Sequence, residues 1–181
     1  MLLGIDRRVA RLEEDLERVR RAFESTLAAI GDDRRHRAPA GQWTPAQLVW
    51  HCAKVERGVA RLVERLDAAI PEMATVPPGP APDKVLRLLD HIPYHDRARK
   101  VQAIPGLVPP ESVDLGAELG RLREGREQLL TVIRQAGPRL SLVKHEHPLF
   151  GPFDGWQWVL SVGKHEERHL DQLREVAAAP L

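Results

Sequence analysis

The chain has one cysteine, Cys52. No intramolecular disulfide can form, and a cysteine-rich zinc site is excluded. Aromatic residues make up only 4% of the chain. Trp43, Trp50, Trp156 and Trp158 lack the basic interleaving of a base-stacking platform and read as core or interface packing. Neither sign of charge dominates: 27 basic residues against 26 acidic ones leave a formal net charge of +1. That balance supplies no general attraction to nucleic acid or to an anionic membrane. No apolar run approaches the roughly 18–20 residues of a membrane span. The opening "MLLGIDRRVARLEED" turns charged too early for a secretory signal. The expectation is a cytoplasmic protein with neither a nucleic-acid nor a membrane partner.

What the chain does have is helical periodicity. Its 181 residues, 43% hydrophobic and 29% charged, suit one soluble domain spanning 1–181. Ile5, Val9, Leu12, Leu16, Val19, Phe23, Leu27 and Ile30 recur at steps of three and four, one apolar stripe on a long helix that Gly31 stops. A second helix opens at "WTPAQ". Thr44 suits the N-cap, Pro45 the first helical position, and Gln47 completes a capping box. Its stripe is Leu48, Cys52, Val55, Val59, Leu62, Leu66 and Ile70, ended by Pro71. Residues 71–111 are proline-rich, with "DKVLRLLDH" as a short helix between two loops, and read as a long crossover rather than a second domain.

A third helix follows Ser112, with Leu115, Leu119, Leu122, Leu129 and Ile133 on its stripe and Gly137-Pro138 at its end. A fourth begins near Phe153, carries Trp158, Val162, Leu173 and Val176, and ends before Pro180. No period-two strand pattern stands out. The fold class expected is all-α: a four-helix bundle, up-down-down-up, with the long proline-rich crossover between helices 2 and 3.

The last helix contains "KHEERH". At roughly 100° per residue, His165 and His169 share a face, in line with Trp158, Val162 and Leu173. On the second helix, His51 lies three after Leu48 and four before Val55, beside the apolar face. Three imidazoles on two inward faces suit zinc, nickel, iron or copper. Three protein ligands with an open position is the catalytic pattern, and the metal then lowers the pKa of bound water or polarises a thiol or carbonyl. The bland alternative is a set of core histidines satisfied by hydrogen bonds.

The literal H-E-x-x-H invites a zinc protease. That chemistry needs a downstream carboxylate on a further helix, or a Gly and then a His after the motif. Only twelve residues follow His169, and "LDQLREV" supplies neither. Glu166 falls off the seam on a helical wheel. No other Asp or Glu sits beside the histidines as a general base, which weakens hydrolysis more than thiol transfer.

"WTPAQLVWHCAKVERG", followed much later by "HPLFGPFDGWQWVLSVGKHEERHLDQL", resembles the DinB/YfiT-like superfamily. The matching positions are Trp43, Thr44, Pro45 and His51, then His147 to Gly151, then His165, His169 and Gln172. The resemblance spans most of the chain. It implies a four-helix bundle with a divalent metal on His51, His165 and His169, often as a homodimer. It also implies a metal-dependent enzyme acting on a small-molecule substrate. Relatives include thiol S-transferases that use a low-molecular-weight thiol as co-substrate, a thiol-dependent isomerase and metal-dependent hydrolases. Zinc or nickel is the expected ion, with iron next. A non-catalytic, stress-linked metal-binding or interaction bundle is the alternative.

Four further residues are candidates for contact with the ligands or the substrate. Gln47, one turn before His51, has a capping role that already explains it. Arg126 lies on an apolar stripe and needs an anion, either a substrate carboxylate or a Glu or Asp of the chain. Gln172 is three after His169. His147 is placed at the pocket rim, although Pro148 after it suits a structural turn. His91 and His95, separated by Pro93, read as loop residues. Cys52 reads as a small core residue.

Overall fold

The computed structural model describes residues 6–98 and 101–180. Its frame is four long helices: α1 (Arg7–Ala28), α3 (Pro45–Ala68), α4 (Leu115–Ala136) and α5 (Gly155–Ala178). A single turn, α2 (Asp32–Arg35), follows α1. Among the described residues no helix is long and apolar enough to cross a membrane.

Local signals set most of the ends. Asp6 caps α1, and Val9, Leu12, Leu16, Val19, Phe23 and Leu27 are all buried on its stripe; Ile5 lies outside the described residues. Gly31 caps α2 rather than stopping α1, which ends three residues earlier. At α3 the capping box is formed in full, Thr44 accepting from the Gln47 N–H and Gln47 accepting from the Thr44 N–H. Asp114 caps α4, two residues after Ser112. A second capping box, Asp154 with Gln157, starts α5. Gly137, at φ 49°, takes a left-handed conformation that ends α4 at little cost.

Two expectations need correction. Lys144–His147 (β1) and Gly151–Asp154 (β2) form an antiparallel hairpin with His147 opposite Gly151, so the fold is helical with a small two-stranded sheet. The strands lack apolar alternation because only one of their side chains, Phe153, is buried. The crossover segment "DKVLRLLDH" makes only a 3₁₀ turn, Val85–Arg87, which nevertheless buries Val85 and Leu89.

Along α3 and α4 the contacts climb in step. A Cβ at Gly125 would come within 2.9 Å of the Arg57 side chain, Gln128 reaches Glu64, and Arg139, in the 3₁₀ turn just past α4, reaches Asp67. The bundle has two apolar layers. One includes Leu16, Val59, Leu129 and Val162; the other includes Phe23, Ala53, Leu122 and Leu170. Each helix places one buried charge between its members of the two layers: Arg20, Glu56, Arg126 and Glu166.

Candidate metal centre

His51 comes from α3 and is 4% exposed; His165 and His169 come from α5. Their Nε2 atoms meet. The separations are 3.0 Å from His51 to His165 and 3.1 Å from His169 to His165. The three are the single group of His, Cys, Asp and Glu side chains among the described residues with ligand atoms close enough to share an ion, all within 4.8 Å of one another.

The opposite edges of two rings decide the chemistry. His51 Nδ1 donates to the Leu107 carbonyl at 2.7 Å, and His169 Nδ1 donates to Gln172 Oε1 at 3.1 Å. A carbonyl oxygen only accepts, so each ring keeps its proton on Nδ1 and turns a bare Nε2 lone pair inward. The His165 ring can place at most one proton among the three converging nitrogens. Extra protons are opposed by burial. It lowers the pKa of His51 against the pull of the Leu107 carbonyl, and lowers that of His169 to about 3. It drives His165 well below its ordinary value, with His169 and His51 adding to the effect. Neutral, convergent lone pairs are the donor set a divalent first-row ion takes. Ligands at about 2.0–2.1 Å from a tetrahedral zinc stand about 3.3 Å apart, within a few tenths of an ångström of the two separations here.

The surroundings sort the remaining candidates. Gln172 fixes the tautomer of His169. Gln47, besides its cap, donates from Nε2 to the Pro110 carbonyl at 2.9 Å and so reaches the crossover rather than the imidazoles. His147 stands outside the ligand group, its ring against Phe150, Phe153 and Trp158. Its Nδ1 accepts from the Leu149 N–H, and burial lowers its pKa to about 4. Trp43 walls the site, its ring 4.8 Å from His51 and 6.2 Å from His169. Cys52 is fully buried, and burial raises its thiol well above the ordinary value, the mark of an inert thiol.

Arg126 takes the intramolecular option. Its Nε donates to Glu56 at 2.5 Å, one Nη to Glu166 at 2.8 Å and the other to the Leu16 carbonyl at 2.5 Å. Arg20 completes the ring, donating to Glu166 and Glu56 at 2.5 Å each and to the Leu122 carbonyl at 3.0 Å. Glu166 is therefore a core residue, 2% exposed, rather than one off the seam. The H-E-x-x-H glutamate is committed to two guanidiniums and has no free oxygen to serve a water beside the site.

The Leu107 carbonyl, Trp43 as a wall, Arg20 and Glu56 did not emerge from the sequence as participants. A backbone carbonyl leaves no residue signal. Arg20 and Glu56 did leave one, since Arg20 is four after Leu16 and Glu56 is four after Cys52.

A bundle of four long helices with a three-histidine cluster between α3 and α5 defines the class of protein. Residues 15–173 match the model of the DinB superfamily, and the chain belongs to that superfamily. It is 27% identical over 154 residues to the uncharacterized protein YuaE of Bacillus subtilis (strain 168), covering 83% of this chain and 87% of that one. The crystal structure of TT2238, a four-helix bundle protein, superimposes with a TM-score of 0.61 at 22% identity, covering 92% of this chain and 98% of that one.

Proposed function

We propose that this protein is a divalent-metal-dependent enzyme, that His51, His165 and His169 hold zinc or nickel, and that the reaction is transfer of a low-molecular-weight thiol to a small electrophilic substrate. One observation carries the proposal: three Nε2 atoms, two of them on buried histidines, converge while acceptors on two of the opposite edges keep their lone pairs inward. No fourth His, Cys, Asp or Glu joins them among the described residues, which leaves a coordination position for a reactant. When bound, the ion acts as a Lewis acid that lowers the pKa of a thiol and orients it.

The chain's own residues favour thiol transfer over hydrolysis. Hydrolysis needs a base for water, and the neighbouring carboxylate, Glu166, is spent on Arg20 and Arg126. A thiol with a lowered pKa is already a nucleophile and gives its proton to solvent. Trp43 shields one side of the site, and the indole and imidazole faces keep it apolar. The same proposal takes the helix order as up-down-down-up, supported by the in-step contacts of α3 with α4, and the assembly as a homodimer in the cytoplasm.

Elemental analysis of the purified protein beside a His165→Ala/His169→Ala variant tests the site. About one equivalent of ion in the parent and almost none in the variant is expected. Metal-loaded protein is then assayed against a panel of small thiols with electrophilic co-substrates, and against esters. Bound metal without turnover on either panel would favour the non-catalytic bundle; no metal after supplementation would sink the site.

A further inference from the structure

We infer that the crossover is a working part of the metal centre: docking of the Pro105–Leu107 turn and occupancy of the three-histidine site are one coupled equilibrium, with Gln47 as a positioning residue. This inference rests on the metal proposal above and goes beyond it.

Two hydrogen bonds hold the relevant stretch of crossover to α3. Leu107 accepts from His51 Nδ1 across 56 positions of sequence, and Pro110 accepts from Gln47 Nε2 one turn nearer the start of the helix. Burial contributes little there. Ile104 is 43% exposed and Val108 51% exposed; Pro109 and Val113 are the buried residues of the stretch. Upstream, the crossover is tied to α5 by Arg97 to Glu175 and by Arg168 to the carbonyls of Tyr94 and Asp96. Among the described residues between those ties and Val113, one of the two side-chain hydrogen bonds to α3 comes from a candidate metal ligand.

The Leu107 carbonyl keeps the His51 proton on Nδ1 and so keeps Nε2 free. Undocking removes that constraint and lets the proton sit on Nε2, where it blocks an ion. Conversely, an ion on Nε2 draws charge from the ring, makes the Nδ1–H a stronger donor and tightens the bond to Leu107. Linkage requires the two effects to be equal in free energy. Gln47 enters because the same side chain that caps α3 also holds Pro110, three residues past Leu107.

Hydrogen exchange with and without zinc tests the coupling. The Leu107 N–H donates to the Ile104 carbonyl and the Val108 N–H to the Pro105 carbonyl, so both amides report the docked turn. Zinc is expected to slow both about tenfold or more. Two variants separate capping from positioning. Thr44→Ala and Gln47→Ala each break the capping box, but only the second frees Pro110. Both should lower the metal-free melting temperature similarly, while Gln47→Ala alone weakens zinc binding by at least about tenfold, the low end for outer-shell partners of metal ligands. Zinc bound by the parent with unchanged exchange at both amides would overturn the coupling and leave the metal proposal standing. Equal zinc affinity in the two variants would remove Gln47 from it. A parent that takes up no metal would end both.

Discussion

Two buried polar clusters lie side by side in this bundle, and they differ in one respect. The ring of Arg20, Glu56, Arg126 and Glu166 takes one residue from each long helix and is complete. Each carboxylate oxygen meets a guanidinium, each guanidinium also reaches a backbone carbonyl, and the charges cancel. The histidine triad satisfies its outer edges at His51 and His169 and leaves its inner edges facing one another. A buried polar cluster that closes on itself holds elements in place. One whose lone pairs converge on a point is organised around something else. The H-E-x-x-H run has one foot in each, Glu166 in the ring and both histidines in the triad, so its resemblance to a protease motif is a coincidence of adjacent roles.

The comparison breaks most readily at the ring. Glu166→Ala leaves two guanidiniums short of a partner in the core, and removing one member of a buried ion network costs about 3–5 kcal/mol. Urea denaturation of metal-free protein should show a loss of that size. His165→Ala/His169→Ala removes crowded lone pairs as well as packing, and should cost about 2 kcal/mol metal-free, about 1 kcal/mol for each of the two changes. If the histidine variant proved the less stable of the two, the division into a structural ring and a ligand site would fail.

Metal should reverse that ranking. At a free zinc concentration of 1,000 times Kd, the parent gains about 4 kcal/mol by mass action, and its melting temperature should rise accordingly. The double variant should not respond. Acid separates the clusters in a second way. In the metal-free protein His169 titrates at about 3 and His147 at about 4, with His51 and His165 also lowered, all against an ordinary value of 6.5. Between those limits the unfolded chain binds more protons than the folded one, so stability is full above about pH 6.5 and falls as pH drops toward 4. The double variant should show a shallower fall. Equal slopes in parent and variant would mean that the two α5 histidines are not held neutral by the fold.

Much of this was legible beforehand, and the failures have physical causes. Stripes at three-and-four spacing located the four helices, because burying one face of a helix forces that spacing. The same logic picked out the triad, since a histidine on a buried face needs a reason. Arg126 on its stripe called for a carboxylate, and two were available at core spacing: Glu56, four after Cys52, and Glu166, four after Val162. Reading stripes only for apolar residues hid them. The hairpin was illegible for the opposite reason. Its strands bury almost nothing, and main-chain pairing over four residues has no side-chain period to betray it. The Leu107 carbonyl was out of reach altogether, since the path of a proline-rich crossover is set by tertiary contacts.

The smallest expected effect is the sharpest test of how the triad is organised. Gln172→Ala removes the acceptor of His169 Nδ1–H and nothing from the ring. Gln172 is partly exposed on α5, and alanine is the better helix former, so metal-free stability should move by less than about 0.5 kcal/mol. Metal affinity should nonetheless fall by about tenfold, because the His169 proton is no longer confined to the outer nitrogen. Isothermal titration with zinc, beside thermal denaturation of the metal-free variant, reads both numbers from one preparation. A loss of affinity at constant stability would show that the outer edges set the inner lone pairs, which is the property that distinguishes the triad from the ring. Unchanged affinity would mean that packing of the imidazoles alone fixes their tautomers, and the role given to the outer acceptors would have to be withdrawn.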